Sequence, residues 1–413
     1  MATFAVLVGG GPAPGLNGVI SAVTLEAIRR GHKVLGIRSG YELLMKGDLG
    51  CAKELMPVDV EIIHRLGGSI IGTSRANPQK SVENLDNVVS TLTQLKVDYL
   101  VTIGGDDTSS SAGAISRAAN GKVKVAHVPK TIDNDLPLPD GIPTFGFETA
   151  RQAGANILES LMADARTASR WYLAVAMGRK AGHLALGMGV SAASSLTLIP
   201  EQFPDDKYQV SALVDKLVGS ILKNRINGKN YGVAVLAEGI LEKVDPESLP
   251  ELNNAERDEH GHIRYAELDF GGILKRAVTA RLAELGAKPV TIVEKNVGYE
   301  LRSIDPCPYD QEYTRLLGFG AVDLLLKDQS EIMVSVQKGK IIPINFSDMI
   351  DPVTKKTSVR YVNTGGALFK ASQRFMTLLT VEDLESSSVL ESLARCTTLS
   401  SAEFKMIFPY VQL

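Results

Sequence analysis

At 413 residues the chain is longer than one hydrophobic core usually organises, so its length points to two domains. Its 44% hydrophobic and 22% charged residues are those of a globular protein, and a net charge of −3 excludes the clustered basic excess of a nucleic-acid-binding surface. Apolar runs fall short of the roughly 18 residues a membrane-spanning helix needs, and Cys51, Cys307 and Cys396 are too few and scattered for a disulfide framework or a zinc site, which fits the reducing cytoplasm.

The opening MATFAVLVGG lacks a basic leader and runs at once into glycine, so it reads as a first strand, FAVLVGG (4–10), and not as a signal peptide. Its continuous apolar run is expected of a strand buried on both faces. In GGGPAPGLN three glycines let the backbone approach an anion, while Pro12 and Pro14 delay a regular helix until about residue 15. Leu16, Val19, Ile20, Val23 and Ala27 then recur at helical spacing, and Gly31 stops the helix. This is not a Walker A loop, because the Lys-Ser/Thr is missing, and Pro12 and Pro14 break the dinucleotide spacing. HKVLGIRSG (32–40) reads as the next strand, and GTSRANP (72–78) places Arg75 in a turn where it can meet phosphate. DYLVTIGG (98–105), VKVAHVPK (123–130), YLAVAMGR (172–179) and YGVAVLAEG (231–239) repeat the pattern of a buried strand ending in a polar or glycine loop. Strands alternating with helices imply a parallel, doubly wound sheet with ligands at the carboxyl ends of its strands.

The unusual residues gather at those ends. Each of GGGPAPG, GGDDT, PKTIDND, MGRKAG and AEG follows an apolar strand, and a glycine turn in that position is by itself often only tight packing. Five such loops on one sheet edge indicate a site. In PKTIDNDLP, Asp133 and Asp135 are expected to alternate on an extended segment and to share a side with Thr131, while Lys130 faces away or reaches around. A carboxylate there can act as a general base or hold Mg²⁺ through oxygen ligands. Arg179 and Lys180 suit phosphoryl oxygens, and GYELRS adds Tyr299 and Arg302. Such an inventory of glycine turns, cations and aspartates, without a reactive Cys or a Ser–His pair, describes phosphoryl transfer. The segment from about 241 to 290 is polar, then helical, and reads as a surface insertion plus the start of another helix. His260 and His262, with Asp258 and Glu259 nearby, could hold a metal there, but an i, i+2 His pair in a charged loop is more often solvated surface. The tail from 367 reads as mixed helix without chemistry.

In this order, GGGPAPG, GTSR, GGDDT, PKTIDND, MGR, AEG and GYxxR resemble the phosphofructokinase family from residue 5 to about 320. The resemblance implies two Rossmann-like three-layer α/β/α domains with mostly parallel sheets and an active site in the cleft between them. It divides the chain into a donor domain, 1–148 plus about 299–345, and a fructose 6-phosphate domain, about 149–298 plus part of the C-terminal region. Residues 346–413 form a helical extension. The implied reaction is transfer of a phosphoryl group to the 1-hydroxyl of fructose 6-phosphate. By motif, Asp133 corresponds to the general base, Thr131 lies beside the reacting hydroxyl, Asp106 is the Mg²⁺ ligand and Arg179 stabilises the transferring group. Gly10, Gly11, Arg75, Asp107, Thr108 and Lys130 fall on donor positions. Met177, Gly178, Glu238 and Asp135 would surround the sugar, and Tyr299 and Arg302 would hold its 6-phosphate. Arg170, nine residues before Arg179, matches an arginine that reaches the neighbouring subunit's site, which implies a homodimer or homotetramer. A second cross-subunit arginine of the family is missing from VEKNV, where Lys295 offers a point charge.

The family uses ATP or inorganic pyrophosphate. ATP users generally carry glycine at the position of Asp107, whereas pyrophosphate users resemble this chain in having Asp107 together with Lys130. A carboxylate there fills space and adds negative charge where a nucleotide's α-phosphate would lie, and Lys130 can reach a phosphate of the shorter donor. The expected enzyme is therefore a Mg²⁺- and pyrophosphate-dependent phosphofructokinase. An ATP-dependent one is the alternative in the same class, and a non-catalytic sugar-phosphate sensor or, more remotely, a nicotinamide-dependent oxidoreductase are those from other classes.

Overall fold

Phe4, Val6 and Val8 of the first strand join one apolar cluster while Ala5 and Leu7 join another, so a strand covered on both faces needs an unbroken apolar run. The structure, a computed structural model, describes residues 1–139, 141–203, 207–254, 256, 268–354 and 357–408. In chain order the strands are β1 (Thr3–Val8), β2 (Lys33–Ile37), β3 (Ala52–Glu54), β4 (Tyr99–Gly104), β5 (Lys124–Pro129), β6 (Arg170–Ala176), β7 (Leu196–Leu198), β8 (Gly232–Ala237), β9 (Thr291–Val297), β10 (Ile332–Gln337) and β11 (Lys340–Asn345). The longer helices up to residue 326 are α1 (Leu16–Arg29), α2 (Val82–Gln94), α3 (Asp106–Ala119), α4 (Phe147–Ala168), α5 (His183–Ser191), α6 (Val210–Ile226), α7 (Phe270–Glu284) and α8 (Pro308–Leu326).

The chain forms two compact units, Met1–Ala150 with Tyr299–Arg360, and Arg151–Gly298 with Tyr361–Leu413. In the first unit seven strands lie in the order β11-β10-β5-β4-β1-β2-β3. The inner pairs β1–β2, β1–β4, β4–β5 and β5–β10 are parallel, and antiparallel β3 and β11 close the two edges. One face is covered by α1 and α8 through Leu16, Val19, Ile20, Leu317 and Ala321, and the other by α2 and α3 through Val88, Leu92, Ala112 and Ile115. The second unit has the all-parallel order β7-β8-β6-β9. Its core joins Trp171, Leu173 and Leu236 to α6 and α7, and takes in Leu379, Leu384, Leu393, Phe404 and Phe408 from the tail. The helical tail beyond 367 thus supplies core to the second unit.

Six of these strands were expected from their apolar runs, while β3 and β7 are only three residues long and β9 alternates charged residues with a few buried ones. The β10–β11 hairpin also escaped the sequence reading, although Lys338 and Gly339, both at positive φ, make a recognisable two-residue turn. Among the described residues no helix is long and apolar enough to cross a membrane. His260 and His262 lie outside the described residues.

Candidate active site

Three loops of the first unit leave the carboxyl ends of adjacent strands β1, β4 and β5, and they are tied to one another by backbone and side-chain bonds. After β1, Gly9 N donates to Ile103 O (2.9 Å) and Gly10 N to Ser74 O (2.8 Å). Thr73 Oγ1 donates to Gly10 O at 2.7 Å. Gly10 has φ +79°, a conformation that side chains disfavour, so the turn needs glycine there. These bonds put Arg75, which is exposed, one residue from the glycine turn.

After β4, Gly105 caps α3, and Asp106 and Asp107 form its first turn, each half-buried. Unpaired N–H groups and the helix dipole favour negative charge at that end, which gives the acidic pair a structural reason beside any chemical one. Thr108 is buried with its side chain folded back onto the β1 loop: a Cβ on Gly9 would stand 2.4 Å from Thr108 Oγ1, and one on Gly104 2.3 Å. The two glycines therefore admit Thr108, and the start of α3 is fixed against the β1 turn.

After β5, buried Lys130 passes its N–H to Gly104 O (2.8 Å) and its ammonium to Gly11 O. Of the two orientations open to it, Lys130 takes the one that reaches around. Asp133 is 5% exposed, and its N–H donates to Thr131 Oγ1 at 3.0 Å. The segment is not extended as expected. Thr131 makes a hydroxyl-capped turn and Asn134 follows in the left-handed region at φ +57°, so turn chemistry, not strand alternation, arranges Thr131, Asp133 and Asp135. Tyr299 and Arg302 belong to this unit: the Arg302 guanidinium lies 4.9 Å above the Tyr299 ring and 3.5 Å from a Cβ position on Gly11.

The five loops do not share one sheet edge as expected: MGRKAG and AEG follow β6 and β8 of the second unit's own sheet, because the chain builds two sheets. Met177, buried after β6, donates its N–H to Val297 O at 3.0 Å. Buried Glu238 at the end of β8 accepts from Gly178 N (3.0 Å) and Arg179 N (2.8 Å), and this holds Arg179 at φ +50°. Arg179 O lies 2.3 Å from a Cβ position on Gly239, so the AEG glycine is needed for the MGR turn to approach. Glu201 likewise accepts from Gly182 N and Val362 N, both at 2.9 Å, and burial pushes its carboxyl up from the usual range. Arg170 is not brought to this group. It opens β6, roughly 20 Å along the strand from Met177, and pairs with Asp164 at 3.5 Å. Lys295 is exposed on the edge strand β9.

Three residues that support the site were missed. His127 Nε2 meets Gly104 O at 3.0 Å and its Nδ1 meets Thr102 Oγ1 at 2.8 Å, all fully buried. A carbonyl only accepts, so Nε2 carries the proton and Nδ1 accepts from the threonine. Burial pushes this imidazole down to about 3. Its signal was legible as two polar residues, Thr102 and His127, inside neighbouring apolar strands and directly paired in register. Asp310 is fully buried at the start of α8 and accepts from Gly146 N (2.9 Å), Thr149 N (2.9 Å) and Thr149 Oγ1 (2.5 Å). Arg360 grips the loop after β5 and sits in a stretch without a readable pattern.

Mg²⁺ commonly binds one or two carboxylates plus substrate phosphates and needs no all-protein cage. Asp106, a half-buried carboxylate beside a glycine turn with Lys130 close by, fits that chemistry, and among the described residues no cluster of three or more His, Cys, Asp or Glu forms a cage.

The family model described as Phosphofructokinase matches residues 3–325. A pyrophosphate–fructose 6-phosphate 1-phosphotransferase of Thermotoga maritima is 48% identical over 405 residues, covering 97% of this chain and 96% of that one. One of Naegleria fowleri is 47% identical over 418 residues, covering 99% and 95%. Among solved structures, the pyrophosphate-dependent phosphofructokinase of Marinobacter aquaeolei matches with TM-score 0.66 at 16% identity over 96% of this chain and 92% of that one, a likeness of fold. Identity at this level across nearly the whole of both chains, with the family model spanning both units, places the chain in the phosphofructokinase family.

Proposed function

We propose that this chain transfers a phosphoryl group from inorganic pyrophosphate to the 1-hydroxyl of fructose 6-phosphate, giving fructose 1,6-bisphosphate and phosphate, reversibly and with Mg²⁺. The observation that carries the reading is the closure of Lys130 onto Gly11, with Asp107 in the first turn of the helix whose Thr108 packs against Gly9. A cation is held at the glycine turn while a carboxylate stands at the helix start where a nucleotide would need room. The near full-length relatives named for pyrophosphate support the same donor.

Gly10, Gly11, Arg75, Thr108 and Lys130 would bind the donor, with N–H groups and cations facing its oxygens. Asp106 would hold the metal, which when bound neutralises charge on the phosphates. Asp133 would take the proton of the 1-hydroxyl as that oxygen bonds to phosphorus and the P–O bond of pyrophosphate breaks, with Thr131 beside it. Arg179 would stabilise charge on the transferring group. Asp135, Met177, Gly178 and Glu238 would position the sugar, and Tyr299 and Arg302 its 6-phosphate. The remoteness of Arg170 from the MGR turn supports its service in a neighbouring subunit of a homodimer or homotetramer. Three free thiols support a cytoplasmic setting.

Phosphorylation of fructose 6-phosphate measured with each donor tests this reading. Turnover with pyrophosphate and Mg²⁺ well above that with ATP is expected. Turnover with ATP alone would replace the donor, and tight sugar-phosphate binding without turnover would make the chain a sensor.

A further inference from the structure

Between β5 and α4 the chain forms no helix or strand among the described residues; a single backbone bridge joins Lys130 to Phe145, so the carbonyls between them must be served by other groups than a sheet ladder. Arg360 supplies partners to several. Its Nε donates to Asn134 O (3.1 Å), its Nη1 to Ile142 O (2.7 Å) and Leu138 O (3.3 Å), and its Nη2 to Asn134 Oδ1. Its backbone N–H donates to Asp135 O at 2.8 Å. A planar fork of N–H groups can serve this spread of acceptors, and a lysine ammonium cannot.

The residue gripped at both its carbonyl and its side chain is Asn134, which stands between Asp133 and Asp135 at φ +57°. Asparagine tolerates this conformation better than other side chains do, and the bonds to its carbonyl and its side chain fix it there. Thr144 adds one further bond, from its N–H to Asn134 Oδ1 at 3.0 Å, and its hydroxyl bonds Thr131 O at 2.7 Å. The turn that aims the two carboxylates is thus set by a side chain more than two hundred positions away, beyond the 3–325 stretch matched by the family model.

We propose that Arg360 is a positioning residue for phosphoryl transfer: it holds Asn134 in the left-handed turn and so fixes the direction of Asp133 and Asp135. The inference rests on the reading of Asp133 as the base. A small displacement of a reacting group costs on the order of 10²-fold in rate, so Arg360→Gln should lower kcat by about that factor while the KM for either substrate stays within about twofold.

The test uses the full chain with Arg360→Gln, Arg360→Lys and Arg360→Ala. Hydrogen exchange is followed on peptides covering 131–146, and steady-state kinetics are measured with pyrophosphate, Mg²⁺ and fructose 6-phosphate. Expected are faster exchange confined to 131–146, lost kcat in all three variants, no restoration by lysine, and partial restoration of Arg360→Ala by millimolar guanidinium. Wild-type exchange in 131–146, or wild-type kcat in Arg360→Gln, overturns the proposal. So does a loss of activity that tracks a general fall in thermal stability and does not respond to guanidinium. If the unsubstituted chain turns over with neither donor, the functional reading and with it the positioning role fail, while exchange still reports separately whether Arg360 orders the loop.

Discussion

The side-chain ammonium of Lys130 donates to the backbone carbonyl of Gly11, which joins the loop after β5 to the loop after β1 across the intervening strand β4. Lys130 is 5% exposed, and a buried ammonium needs such acceptors or an anion. Bound pyrophosphate would offer that anion. Lys130→Met should therefore raise the KM for pyrophosphate by roughly 10- to 100-fold, the scale of one lost charged hydrogen bond, with a smaller change for fructose 6-phosphate. An unchanged donor KM would remove Lys130 from the donor site.

Asp107 lies in the first turn of α3 directly before Thr108, whose side chain is packed against Gly9. Asp107→Gly removes volume and one negative charge next to the donor turn. Turnover with ATP should rise relative to pyrophosphate, read as the ratio of kcat/KM for the two donors. If that ratio stays put, exclusion of the nucleotide lies elsewhere.

Asp133 is buried in a turn closed by Thr131 and Asn134. In the proposed role of general base, its replacement by Ala should lower kcat by about 10²-fold or more. A pure KM effect would make it a binding residue.

Burial holds the His127 imidazole neutral down to about 3, against 6.5 for an ordinary histidine. Between these values the unfolded chain binds a proton that the folded chain does not, so stability is present above about 6.5 and drains away as pH falls toward 3. The slope from this group approaches about 1.4 kcal/mol per pH unit. Urea denaturation across that range should show a shallower pH dependence for His127→Gln than for the unsubstituted chain. Equal slopes would mean that the ring protonates in place.

Asp310 accepts three hydrogen bonds from the start of α4 and the residue before it. Asp310→Asn keeps the shape but turns an NH₂ toward donors, which should cost about 1–3 kcal/mol. Thermal melting measures this, and a variant as stable as the original would show that the loop finds other partners.

Much of the site could be read from the chain because strand ends announce themselves. An unbroken apolar run fixes a strand covered on both faces, and the polar or glycine residue that ends it must sit at the sheet's carboxyl edge. Gly10, Asp106, Lys130, Met177 and Glu238 are expected at such ends by that logic, and each lies within two residues of the end of its strand. Local sequence offered a turn at Asn134, a residue that tolerates the left-handed region, but could not show that Arg360 from a distant, patternless segment grips it. Nor could it give the reach of Lys130, since which carbonyl a long side chain meets depends on the order of strands in the sheet. The sequence by itself determined the α/β class and the chemical inventory at the strand ends, because periodicity and residue type act locally. Only the tertiary structure decided which loops are bound to which, because hydrogen bonds between distant segments exist only once strands β1, β4 and β5 lie side by side.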